Sequence, residues 1–497
     1  MKKIITGLLC LALLFNVISC KPKPTTTSST PISTTLSTTS ESSSASSDDE
    51  YLDSGSSQEG TSSNAASTAN SSKSVSNTKF DPGAGIGVSI DYSKVTVPNY
   101  NTGTNKKIKV VIPWDSKSQW VTDWTKAYKS LYSGDVSYTI VDSLTMNQKL
   151  AAMKASGNPA DAAYVEASRN WPMVLKADLA QDAGKIMDLN APLWQRNKNS
   201  QALVKYNGKN SFIVTECTAS NGIAYNKKVM KDAGLTEPLT QYYNGKWTWD
   251  TFLDYAKQLT QDIDSDGIVD MWGAQSAYWD GLLLTSGKDY ISVNESGYTL
   301  NLNNPNLQRA VSFLQSLGPA KNNVTTKLDF NDELSRMRQG KIGMLIIGAP
   351  HIYLPDMIEN KNLGYAPMPR DPKADKPYVP SYIKGFIILK GAANPNAAAD
   401  YIAAVEIATV PQLSERLLTK DAQSVDTASM KAFKKVLNDQ FEHQRLNAYP
   451  VIQYFDRFQP ELYYWSLWGN VLYDSKPWSS VVQEMTPKIN AAIDKIK

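Results

Sequence analysis

From Lys107 onward the chain alternates short apolar runs with amphipathic ones, and this order admits few folds. Ile108-Lys109-Val110-Val111-Ile112 is an apolar run of strand length, broken by Pro113-Trp114-Asp115. Trp120, Val121, Trp124, Ala127, Tyr128 and Leu131 then recur at three- and four-residue intervals, which predicts a helix. A second strand is expected over 136–141, a second helix over 146–155 and a third strand over 160–165. Strand, helix, strand, helix, strand predicts an α/β lobe around a mostly parallel sheet.

Further along, Asp250 is placed to cap a helix over 251–260, and Asn304-Pro305 opens another with Leu307, Ala310, Val311 and Leu314 as its buried stripe. Residues 342–348 and 385–389 read as buried strands, Asn394-Pro395 starts a helix over 396–407, and the last hundred residues read as helical. Of the three cysteines, Cys10 and Cys20 lie at the start, leaving Cys217 alone in the rest of the chain. One thiol supplies neither a disulfide framework nor a metal cluster, so a large apolar core must hold the fold. A formal net charge of +3 over 497 residues is too small a bias for a nucleic-acid partner.

The beginning sets the expected compartment. Residues 1–20 carry two lysines, a short apolar run and then Val17-Ile18-Ser19-Cys20, the pattern of a secretory signal. That ending resembles the bacterial lipobox, which implies Cys20 as a lipidated first residue and a lipid anchor at the extracellular face of the cell membrane. Residues 21–79 are dominated by Ser and Thr and cannot bury enough apolar surface to order themselves. As a flexible tether they would reach about 40–45 Å. Residues 80–106, rich in Gly, Asn and Pro, read as an irregular lead-in.

Four further segments resemble a known family. They are Asn221-Gly222-Ile223-Ala224-Tyr225-Asn226-Lys227-Lys228 with Ala233-Gly234-Leu235, Trp247-Thr248-Trp249-Asp250 through Leu259-Thr260, Gly340-Lys341-Ile342-Gly343-Met344 through Gly348, and Ala366-Pro367-Met368-Pro369 with the later Asn394-Pro395. In this order they are similar to extracellular solute-binding protein family 1, the carbohydrate-type binding proteins of ABC importers. The resemblance implies a periplasmic-binding-protein-like α/β fold, two hinge-connected lobes with the ligand cleft between them. By that analogy 107–217 and 368–430 form one lobe, 218–367 the other, and 431–497 a helical segment packed on the second. It implies a monomer that captures a mono- or oligosaccharide, delivers it to a transmembrane permease by hinge closure, and needs no cofactor for chemistry.

Sugars offer apolar C–H faces and a rim of hydroxyls, so aromatic rings beside carboxylates at strand ends are the candidate contacts. Trp114 and Asp115 follow the first strand, at the end where open α/β sheets place ligands. Glu166 follows the third, with Arg169 and Trp171 just after. By family position Tyr278, Trp279 and Asp280 are second-lobe candidates, with Trp279 foremost, and Tyr382 and the cluster Tyr463-Tyr464-Trp465 are others. The turn Gly348-Ala349-Pro350 matches a family contact loop but lacks the Trp often found there. Trp247 and Trp249 read as structural.

Asp262, Asp264, Asp266 and Asp270, with Gly267, match the first part of a calcium loop, a candidate structural calcium site. The twelfth position is Gly273, so the usual bidentate Glu is missing. The rival readings are a secreted glycan-active enzyme and a surface adhesin or sensor domain on the same two-lobed fold. An enzyme would need two carboxylates facing each other across a sugar. The chain shows no nucleophile elbow, zinc-type histidine pair or phosphate loop, and His351 and His443 read as structural.

Overall fold

The structure is a computed structural model that describes residues 91–171, 173–276, 278–294, 297–348, 362–415, 447–450 and 464–495. Residues 1–90, with the expected signal, the expected tether and Cys20, lie outside these residues. Among the described residues no helix is long and apolar enough to cross a membrane.

Two separate sheets organise the chain. The first has the order β12-β11-β3-β1-β2, with β4 also paired to β11. Its strands are β1 (Lys107–Ile112), β2 (Asp135–Ile140), β3 (Ala162–Glu166), β4 (Ile213–Ala219), β11 (Tyr378–Ile388) and β12 (Asn447–Pro450). β1 is parallel to both β2 and β3, as the alternating pattern predicts, whereas β11 returns antiparallel to β3 and β4. The second sheet has the order β10-β5-β9-β6, from β5 (Asn221–Asn226), β6 (Trp272–Ser276), β9 (Ile342–Gly348) and β10 (Leu363–Ala366). β7 (Ile291–Asn294) and β8 (Gly297–Leu300) form a separate hairpin.

Helices cover both faces of the first sheet, which is why β3 is buried at every position rather than alternating. On one face Tyr164 and Phe386 pack with Trp124 and Tyr128 of the helix Gln119–Tyr132 and with Tyr401 and Ile402 of the helix Pro395–Glu415. On the other, Ala163, Val165 and Ile387 meet Leu150 and Val174. The second lobe gathers Phe252, Trp279, Leu314, Trp468 and Ile489 into one core, with Trp247 and Trp249 inside it.

Local signals shift some boundaries. The third strand starts at Ala162 rather than 160, because the Asp161 carboxylate is taken by the amides of Lys109 and Asn394. The helix expected from 251 spans Trp249–Leu259, and its cap is Thr248, whose hydroxyl accepts from the Thr251 amide. Asp250 sits instead in the first turn, where its charge favours the helix N-terminus.

The lobes are joined by crossing segments. Ser220 alone separates β4 from β5, and its amide donates to the Pro380 carbonyl at 2.7 Å. The segment between β10 and β11 is pinned to the second lobe by Asp371, which accepts from Arg309 Nε at 2.9 Å, and by the Trp247 indole, which donates to the Pro367 carbonyl.

Candidate functional site

β11 lies between β3 and β4, and its register places Lys384 opposite Glu166 on one side and Glu216 on the other. Three charged residues thus form a row across three strands at the C-terminal end of β3. Glu166 and Glu216 are each 7% exposed. Such residues are rarely buried unless paired. Lys384 Nζ is 3.9 Å from Glu216 Oε1, and Arg169 Nε is 3.2 Å from Glu166 Oε2. Arg169 also donates to Ser143 Oγ at 2.7 Å, and the Glu166 amide donates to Asn170 Oδ1, so the loop after β3 is held firmly.

Aromatic rings flank the row. The Tyr164 hydroxyl donates to Glu216 Oε2 at 3.4 Å, and Trp114 lies against Tyr164 with centroids 4.5 Å apart. Trp120 stacks on Trp114 at an interplanar angle of 3°. Lys384 Nζ lies 5.9 Å from the Tyr382 ring centroid. Trp114 and Tyr382 are half-buried, each with part of its surface open. Rings, carboxylate oxygens and cationic donors in one row can meet both the C–H faces and the hydroxyls of a polyol.

Behind the row, β4 is held by a buried node. Arg196 donates to the Thr215 carbonyl at 3.0 Å and Asn197 to that of Val214 at 2.9 Å, and both donate to Glu406 Oε1. Burial pushes the Glu406 carboxyl up to about 7 against the lowering effect of Arg196, and its Oε2 has no hydrogen-bond partner among the described residues. Burial likewise pushes the Cys217 thiol up to about 12, which keeps it protonated and poorly nucleophilic.

The sequence candidates separate in space. Trp114, Glu166 and Tyr382 come together, joined by Arg169. Asp115 is exposed, and its carboxylate accepts from the Lys117 amide in a turn. Trp171 is 2% exposed and belongs to the first-lobe core, which removes its ring from any ligand surface. Trp279 requires the larger correction. It is 0% exposed inside the second-lobe core and its indole donates to the Tyr473 hydroxyl at 3.1 Å, so neither ring face is open to a sugar. Its neighbours Tyr278 and Asp280 are half-buried. Tyr464 and Trp465 begin the helix Tyr464–Leu472, but their side chains, like Tyr463, Ala349 and Pro350, lie outside the described residues.

Tyr164, Glu216 and Lys384 escaped the sequence reading. For Glu216 and Lys384 the signal is a charged residue inside an apolar strand, as in Ile383-Lys384-Gly385-Phe386.

In the acidic loop, carboxylate oxygens of Asp262, Asp264 and Asp270 lie within 4.8 Å of one another. Asp266 is not in this group, and its carboxylate accepts from the Ile268 amide. Ser265 and Gly267 take positive φ values of 62° and 90°, folding the loop back on itself. Three oxygens of this kind suit a hard cation.

A family model described as bacterial extracellular solute-binding protein matches residues 114–406. No curated protein matches the chain. Among solved structures, a cyclo/maltodextrin-binding protein complexed with maltotetraose is similar at 17% identity and a TM-score of 0.58, over 78% of this chain and 98% of that one. The extracellular solute-binding protein of Staphylococcus aureus in complex with maltose gives 16% and 0.58, over 79% and 99%. The cyclic α-maltosyl-1,6-maltose binding protein of Arthrobacter globiformis gives 16% and 0.58, over 78% and 99%. At these identities the likeness establishes the two-lobed fold.

Proposed function

Because the chain belongs to the bacterial extracellular solute-binding protein family, we propose that it captures a neutral mono- or oligosaccharide and passes it to the permease of an ABC importer. The row of Glu166, Lys384 and Glu216 beside Trp114 and Tyr382 carries this reading. With Arg169 paired to Glu166 and Lys384 beside Glu216, its charges balance and can donate to and accept from hydroxyls without leaving a net charge for an ionic cargo. The ligand shifts the lobes towards closure only by its difference in affinity for the two states. In this reading the protein acts as a monomer, and a labelled glycan incubated with it should be recovered intact.

A thermal-shift panel of mono- and oligosaccharides tests the cargo. A ligand at a hundred times its Kd adds about 2.7 kcal/mol. For any sugar that raises Tm, Glu216→Gln and Trp114→Ala should each weaken binding about tenfold or more, which is about 1.4 kcal/mol. A panel of folded protein without a single shift would overturn the carbohydrate reading. Unchanged affinity in both variants would move the site elsewhere.

The acidic loop is proposed as a structural calcium site held by Asp262, Asp264 and Asp270. Calcium should raise Tm relative to chelator, and Asp264→Asn should abolish the difference. An identical Tm in both conditions argues for a plain polar turn.

At the other end of the chain, Cys20 is proposed as the lipid-bearing residue that tethers the protein to the cell membrane. Cys20→Ser should then appear in the culture medium. Its full retention with the membrane fraction would remove the anchor.

A further inference from the structure

The chain also passes between the lobes from β12 to the helix Tyr464–Leu472, and one further contact joins the lobes without using any of these crossings. Lys176 ends the helix Met173–Lys176, which is seated in the first lobe by Val174. Tyr298 lies on β8, its ring packed against the second-lobe core. The Lys176 ammonium stands 5.9 Å from the centroid of the Tyr298 ring, and both side chains are partly buried. A cation over an aromatic face is attracted by the ring quadrupole, more strongly as water is removed.

We propose that Lys176 and Tyr298 form a latch that favours the closed arrangement of the lobes before any ligand is bound. Ser220 and the segment between β10 and β11 stay connected whatever the lobe angle, because the chain runs through them. The Lys176–Tyr298 contact has no such covalent support. It forms when the lobes approach and is lost when they part. A contact made in one state alone shifts the equilibrium by its own strength. For a partly buried cation–π pair the closed-to-open ratio rises about two- to fivefold.

The latch rests on the reading of the cleft as one that closes about a ligand, and it also sets how far closure has gone before a ligand arrives. A weaker latch lowers ligand affinity by the competent fraction it removes, with no change in the groups that touch the ligand.

The test measures the closed-to-open ratio by small-angle scattering of the protein without ligand. Lys176→Met and Tyr298→Leu should each lower the ratio about two- to fivefold. The double variant should fall no further than either single one, because both remove the same contact. Tyr298→Phe and Lys176→Arg keep a ring and a cation and should retain the ratio. Additive losses, or unchanged scattering in both single variants with intact melting curves, would overturn the latch. Should Tyr298→Leu fail to fold, Lys176→Met against Lys176→Arg still decides the matter. Because the scattering is read without sugar, a chain that binds no carbohydrate still passes or fails this test, which separates the latch from the choice of cargo.

Discussion

Trp279→Ala should lower the free energy of unfolding by about 3–5 kcal/mol, the usual cost of deleting a buried aromatic side chain. The ring is fully buried among the second-lobe apolar residues, and its indole holds the Tyr473 hydroxyl. Truncation leaves a cavity and takes away that hydrogen bond together. Trp279→Phe should recover much of the loss, because it restores most of the volume. Denaturant melts read the difference directly. A variant as stable as the parent, with sugar affinity lost, would return Trp279 to the ligand surface. The segment Tyr278-Trp279-Asp280 looks the same in sequence under either outcome, because side-chain direction after β6 depends on the helices that pack there.

The second large effect is a dependence of stability on pH through Glu406. Its ordinary value of 4.5 is raised to about 7 by burial, while Arg196 and Asn197 hold one oxygen. The folded chain therefore keeps this proton at pH values where the unfolded chain has released it. The extra stability is complete below about pH 4.5 and is lost as pH rises through about 7. In that window the slope is about 1.4 kcal/mol per pH unit, roughly 3 kcal/mol in all. Asp400, pushed up to about 6 by burial, acts in the same direction at lower pH. Urea melts across this range should show stability falling with pH, and Glu406→Gln should flatten the upper part of the curve. A parent protein whose stability is flat from pH 5 to 7.5 would show that Arg196 keeps Glu406 ionised throughout.

What the sequence disclosed was mainly local. A short apolar run located β1, and period-3.6 patterns the helices Gln119–Tyr132 and Pro305–Leu317, because each depends on residues a few positions apart. Caps were read less well. Thr248 and Asp250 are both good N-cap residues, and it is the Thr248 hydroxyl that accepts from the Thr251 amide. The site was legible in half. Trp114 and Glu166 announce themselves by standing at or just past strand ends, but Glu216 and Lys384 meet only because β11 returns antiparallel between β3 and β4. Register between strands so far apart in the chain leaves no trace in either segment alone. Family segments supplied the two-lobed expectation that periodicity could not.

The single residue between the two sheets limits how this molecule can move. With Ser220 bonded to the Pro380 carbonyl, the two strands that pass between lobes are pinned to each other where they cross. Sliding of one lobe over the other would have to break that bond, whereas pivoting about it leaves it whole. The bond thus favours rotation of the lobes about this crossing over a shear between them.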